Sequence, residues 1–197
     1  DLFSIPLLGF HQIENSVTAL AAVNELRNQG MAISTVAIHQ GMAKVAWRGR
    51  LEILSRDPLI VIDAAHNEES VSRVVKSLPY FFEYERLIVV IGTLQDKNIE
   101  GMALQLEDAS TVVVTTPPHP RASKADVVAQ LLRDRELFSD EVLLVEEDVG
   151  EAMSLALSCA GSRDLICVLG SLFVAAEARK HILSKVDCES ASVYSDR

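Results

Sequence analysis

The stretch Leu59-Ile-Val-Ile-Asp-Ala-Ala-His-Asn-Glu-Glu-Ser70 constrains the fold more than any other part of the chain. Four apolar residues in a row suit a strand covered on both faces, which is the habit of parallel sheets. Glu68 and Glu69 then suit the positive first turn of a helix. A strand running straight into a helix is half of a βαβ unit, and Asp63 and His66 fall at the turn between the two. In an open parallel sheet that turn lies along the crevice at the carboxyl ends of the strands. Both side chains are therefore expected to face the crevice rather than be buried unpaired.

The rest of the chain repeats the alternation. Strands are expected over 51–54, 59–63, 86–91, 111–115, 142–145 and 165–169, with helices over 68–78, 99–106, 124–133, 149–158 and 172–183. This spacing predicts an α/β fold, a doubly wound, mostly parallel Rossmann-like sheet with helices on both faces. A short helical segment precedes it. Val17, Leu20, Ala21, Val23 and Leu26 recur at a helical period within 15–29, Gly30 reads as a stop, and 33–42 suits a second short helix. The change of pattern near 44–49 divides the chain into a leader, residues 1–45, and a main domain, residues 46–186. A polar, serine-rich stretch over 187–197 has little to bury and is expected to be disordered.

A chain of 197 residues with 49% apolar content has enough material for a full core. A net charge of -10 argues against a nucleic-acid or acidic-membrane partner, since either needs a basic face. A small anionic ligand would have to be held by a few focused cations. No segment has the length of a membrane span and no basic-then-apolar signal opens the chain, so a cytoplasmic location is expected. Cys159, Cys167 and Cys188 lack metal-like spacing and read as reduced thiols, and no metal site is expected here.

Trp47-Arg-Gly-Arg-Leu-Glu52 lies just upstream of the Asp63 strand. Leu7-Leu-Gly-Phe-His-Gln-Ile-Glu-Asn15 with Thr18-Ala-Leu-Ala-Ala22, Gly92-Thr-Leu-Gln-Asp-Lys97 and Leu169-Gly-Ser-Leu-Phe173 complete a series of five segments. In this order they resemble the C-terminal domain of folylpolyglutamate synthase and its bifunctional relative dihydrofolate synthase, members of the Mur ligase superfamily. The resemblance runs from about residue 7 to about residue 182, and its first segment looks like the last helix of the family's ATPase domain. It implies a reaction in which ATP phosphorylates a carboxylate of folate or dihydropteroate. The amine of L-glutamate then attacks the acyl phosphate, leaving an amide, ADP and phosphate.

Each candidate residue has a plain reading beside the one that the resemblance implies. Asp63 suits either a ribose acceptor or a helix cap, and the resemblance matches it to an aspartate that helps bind ATP. His66 lies where a helix dipole favours a neutral ring, and the resemblance places it, as a catalytic residue, near the transferred phosphate and the incoming amino acid. Arg50 has a donor fork suited to phosphate, whereas Arg48 and Arg56 read as solvated charge; the resemblance selects Arg50 as an ATP contact. Asn15 is an ordinary helix N-cap by chemistry and a nucleotide contact by resemblance. Lys97 reads as a solvated lysine or as a catalytic cation pointing into the cleft. Ser171 reads as an N-cap or as a contact to a substrate carboxylate. Arg121 ends the stiff Pro117-Pro-His-Pro-Arg121 loop and suits an anion of the substrate.

Two positions depart from the family's pattern: Ala64 replaces a common glycine, and Asn98 stands where a second acid is common. The chain also holds no Gly-x-x-x-x-Gly-Lys-Ser/Thr phosphate loop and begins at Asp1 rather than methionine. Both features fit a ligase fragment whose Mg²⁺ ligands and phosphate loop lie in an N-terminal ATPase domain, its expected partner. The alternatives are a stand-alone Rossmann-like binding module and a Mur-type peptidoglycan ligase domain.

Overall fold

In a computed structural model the backbone of residues 2–195 is described, with side chains as far as Lys185. The tail expectation for 187–197 therefore lies outside the residues described in full. The leader forms α1 (Phe10–Asn28) and α2 (Thr35–Lys44). A hairpin of β1 (Glu52–Arg56) and β2 (Leu59–Ile62) follows, and then α3 (Glu68–Phe81). The remainder runs β3 (Leu87–Ile91), α4 (Ile99–Ala103), β4 (Thr111–Val114), α5 (Ala125–Asp134), β5 (Leu143–Val145), α6 (Val149–Cys159), β6 (Leu165–Leu169) and α7 (Leu172–Ser195).

The six strands form one sheet in the order β1-β2-β6-β3-β4-β5. Only the edge strand β1 is antiparallel to its neighbour; the other five run parallel. Alternate strand residues enter two separate cores, as the two-residue period of a strand requires. Val61, Val89, Ile91, Val112 and Leu169 pack under α3, α4 and α5, whereas Ile60, Ile62, Val90, Val113 and Val168 pack under α6 and α7. Both faces are covered, which explains why the central strands read as unbroken apolar runs.

The connection from β5 returns across the sheet to set β6 between β2 and β3, so the winding reverses at the β6/β3 junction. Ligand crevices form at such reversals. Ile91 pairs with Leu169 at this point, and the next residue on each strand is glycine. A Cβ on Gly92 would lie 2.5 Å from the Thr115 carbonyl oxygen. One on Gly170, whose φ is 102°, would lie 2.7 Å from the Gly92 carbonyl oxygen. The strand ends approach this closely because neither glycine has a side chain.

The leader is seated on α3. The Phe10 ring meets Tyr80 edge-on at 4.9 Å, and Glu14 pairs with Arg73 at 2.6 Å. Consequently α1 begins at Phe10 with Gly9 as its N-cap, not near Asn15, which lies in the helix's second turn. The expectation that Asn15 caps a helix is corrected: anchoring of Phe10 on α3 extends the helix beyond what its apolar period shows. The expected helix over 99–106 also divides, α4 giving way to a 3-10 turn at Leu104–Leu106. Among the described residues, no helix is long and apolar enough to cross a membrane.

The close approach at the winding reversal makes a definite prediction. Gly170→Ala must adopt a left-handed backbone and push on a carbonyl, and should lower stability by about 1–3 kcal/mol. Urea unfolding measures this, and an unchanged midpoint would show that the strand ends are looser than described.

Candidate functional site

The Trp47-Arg-Gly-Arg-Leu-Glu52 segment is a turn strapped to the end of β2. Asp63 provides the strap: one carboxylate oxygen accepts from the Leu51 N–H at 2.9 Å and the other from the Ala65 N–H at 2.8 Å. Gly49 completes the attachment, its carbonyl accepting from the Ala64 N–H and its own N–H donating to Glu52 at 2.7 Å. Glu52 is in turn paired with Arg179 of α7 at 2.9 Å. Within this turn Gly49 and Leu51 have φ of 68° and 43°, a conformation that costs free energy at Leu51 and needs external anchors.

Asp63 therefore does not open on the crevice as expected. It is 1% exposed, and both of its oxygens are engaged by backbone. Burial raises its carboxyl above the ordinary range, opposed by the Leu51 N–H, the Arg50 charge and the Ala65 N–H. What the clamp presents to solvent is Arg50, half-buried and with no hydrogen bond or ion pair to its guanidinium among the described residues. Arg50 lines a cavity of about 340 Å³ between leader and sheet domain, together with Asn15, Gln12, Met42, Val45 and Trp47.

Two residues of this region lie outside the expected set. Gln12 is 4% exposed; its side-chain oxygen accepts from the Asn15 amide at 3.2 Å, while its Nε2 has no partner. His11 Nδ1 is likewise buried without a partner. Burial holds the His11 ring below the usual histidine range, against the pull of the nearby Asp63 charge. The available signal was their position, three and four residues before Asn15 and hence on its side of the helix.

His66 is exposed, and its Nδ1 lies 2.9 Å from the Ala64 carbonyl oxygen. A carbonyl only accepts, so Nδ1 donates here, and of the two tautomers this contact selects the one with Nε2 as acceptor. Its neighbour Asn67 caps α3 in a reciprocal arrangement with Ser70, which fixes the turn. Ser171, 3% exposed, accepts from the Val174 N–H at 3.2 Å and so caps α7, leaving its own proton available.

A second group gathers beyond β3 and β4. Residues 93–98 and 117–123 are joined by a bridge between Leu94 and Ala122, and Asp96 lies 3.1 Å from Lys97 and 3.7 Å from Arg121. His119 packs on Phe173 with ring centroids 4.3 Å apart. Thr93, whose carbonyl accepts from the Ser123 N–H at 2.9 Å, is 1% exposed with its hydroxyl unpartnered. The structure thus brings Asn15 to Arg50 and Lys97 to Arg121, with Asp63, His66 and Ser171 at the strand ends between the two pairs. Among the described residues, no three His, Cys, Asp or Glu side chains gather as metal ligands.

Residues 49–172 match the family described as Mur ligase, glutamate ligase domain. A probable bifunctional folylpolyglutamate synthase/dihydropteroate synthase of Halobacterium salinarum is 37% identical over 89% of this chain, which covers 20% of that protein. The dihydrofolate synthase/folylpolyglutamate synthase of Bacillus subtilis is 32% identical over 89% of this chain, which covers 40% of it. A crystal structure of Mycobacterium tuberculosis folylpolyglutamate synthase complexed with ADP and AMPPCP superposes with a TM-score of 0.82 at 32% identity. That match covers 91% of this chain and 42% of the other. The chain thus spans well under half the length of these relatives.

The clamp carries its own test. Asp63→Asn keeps the shape but turns an amide NH₂ toward one of the two N–H groups, which should cost roughly 1–3 kcal/mol at neutral pH. Because burial raises the folded pKa, the folded chain binds the proton more readily than the unfolded chain. The carboxyl's contribution is therefore greatest below the ordinary carboxylate range and declines as pH rises through the raised value. Asp63→Asn lacks that decline, so its deficit in urea unfolding should be larger at acid pH and narrow toward neutrality. A deficit that widens with pH would contradict the sign.

Proposed function

The chain belongs to the Mur ligase family through its glutamate ligase domain, and from this premise we propose that it forms one side of an ATP-dependent folylpolyglutamate or dihydrofolate synthase. The observation that carries the reading is Arg50: an arginine whose guanidinium makes no hydrogen bond or ion pair among the described residues, held on a clamped turn and sharing a cavity with the Asn15 amide. ATP supplies the phosphoryl group that activates the acceptor's carboxylate. Arg50 offers that nucleotide a planar donor fork for phosphate oxygens. Asn15 and Gln12 offer amide groups on a wall that also includes Met42, Val45 and Trp47. Apolar walls with a few placed polar groups are the usual make-up of a small-molecule site. Asp63 acts through the turn: it holds Arg50 in place and orders the backbone that leads to His66.

His66 suits a role at the reacting end. Its Nδ1 is committed to Ala64, so Nε2 faces outward, ready to accept a proton from the glutamate amine as it attacks. Lys97, Arg121 and Ser171 suit the carboxylates of the amino acid, with two cations and one hydroxyl proton. The phosphate loop and the Mg²⁺ ligands belong to the part of the longer protein outside these residues, an N-terminal ATPase domain of which the leader is the tail. The uncovered apolar side chains of α1, Ile13 at 53% and Val17 at 62% exposure, support such a neighbour. Folate or dihydropteroate would be the acceptor, and the surroundings are cytoplasmic.

Two substitutions in the full-length protein test the assignment. Arg50→Ala should raise the KM for ATP by the equivalent of roughly 1.5–3 kcal/mol, because a charge-assisted contact is lost; an unchanged ATP dependence would remove Arg50 from the site. His66→Ala should melt within about 2 °C of the parent, since an exposed side chain contributes little stability. Turnover should nevertheless fall about 100-fold or more, the scale of a lost general base. Steady-state kinetics beside a thermal melt separates the cases, and a loss of stability in step with activity would assign His66 a structural role.

A further inference from the structure

Lys97 and Arg121 stand on two different loops beyond β3 and β4, and one side chain lies between them. Asp96 Oδ2 is 3.1 Å from Lys97 Nζ, and Asp96 Oδ1 is 3.7 Å from Arg121 Nη1. The loops behind these groups are joined by their own backbone. The Gln95 N–H donates to the Arg121 carbonyl at 2.9 Å, the Gln95 side-chain amide donates to the Ala122 carbonyl at 3.1 Å, and Leu94 bridges to Ala122. The His119 ring steadies the same loop, accepting from the Arg121 N–H at 3.1 Å while packing on Phe173.

With the loops already joined, the ion pairs are not needed to hold them together. All three charged groups keep contact with solvent, Asp96 at 50% and Arg121 at 65% exposure, where ion pairs contribute little to folding stability. Two neighbouring cations without a shared anion repel and turn toward solvent. With Asp96 between them they converge, and the trio carries a net charge of about +1, which matches a single carboxylate. The Thr93 hydroxyl, three residues earlier and without a partner, adds an unused polar group to the same strand end.

We propose that Asp96 is a positioning residue, which holds Lys97 and Arg121 together as a receptor for one carboxylate of the amino-acid substrate. This rests on the reading of Lys97 and Arg121 as facing that substrate. Asp96 itself touches neither the substrate nor the reacting atoms. It acts on affinity for the amino acid, not on the chemical step.

The test is glutamate-dependent kinetics of the full-length enzyme with Asp96→Asn, Asp96→Glu, Lys97→Ala and Arg121→Ala, each with a thermal melt. Asp96→Asn should raise the KM for glutamate about tenfold, with kcat within about twofold and melting within about 2 °C, while Asp96→Glu recovers most of the affinity. Lys97→Ala and Arg121→Ala should raise the same KM. If those two raise it and Asp96→Asn leaves it unchanged or lowers it, the positioning role is overturned and the reading of the crevice stands. If neither alanine variant changes KM, the reading of the crevice itself fails. A fall in kcat and melting together for Asp96→Asn would make the contact structural and overturn the proposal.

Discussion

One buried carboxylate organises the Trp47–Glu52 turn and the end of β2 in this domain. Burying Asp63 costs solvation, and two backbone N–H groups, from Leu51 and Ala65, offset that cost with charge-assisted bonds. The bond to Leu51 holds a turn that its own dihedral angles disfavour. The bond to Ala65 holds the strand end that leads to His66. Remove the carboxylate and Arg50 and His66 lose the common support that sets their relative position. An acid at a strand end suits either a ligand contact or a helix cap in sequence, whereas here it is buried and holds the backbone on both sides of it.

The second constraint is the paired glycines at the winding reversal. Because Gly92 and Gly170 let β3, β4 and β6 end in near contact, Thr93, Ser171 and the two loops carrying Lys97 and Arg121 converge along one edge. β6 separates β2 from β3, so the ends of those strands are about 10 Å apart. The two clusters stand on either side of that gap. Under the proposed function, the division would keep the anions of the nucleotide and the amino acid apart while both approach the same acceptor.

The sheet was legible in the residues because a parallel sheet buried on both faces needs unbroken apolar strands, and 59–62, 87–91 and 165–169 provide them. Arg50, His66, Lys97 and Ser171 could be named as candidates by the family's pattern, with their chemistry open to plainer roles. The inward turn of Asp63 could not, since it depends on two amides, one of them twelve residues upstream. The start of α1 was hidden for a related reason: Phe10 joins the helix through its contact with Tyr80, about seventy residues away. Gln12 and His11 carry no sequence signal of their own, because an amide or an imidazole becomes conspicuous only when it is buried without a partner. The junction of Lys97 with Arg121 needed the Leu94–Ala122 bridge, which no local pattern announces.

The claim that Asp63 clamps the Arg50 turn is tested most directly by native-state hydrogen exchange at the Leu51 amide. If the carboxylate holds it as described, Leu51 exchanges as slowly as the amides of the central strands and only through global opening, and Asp63→Ala releases it selectively. A Leu51 amide that exchanges at the rate of an open loop, while β3 and β6 remain protected, would contradict the account.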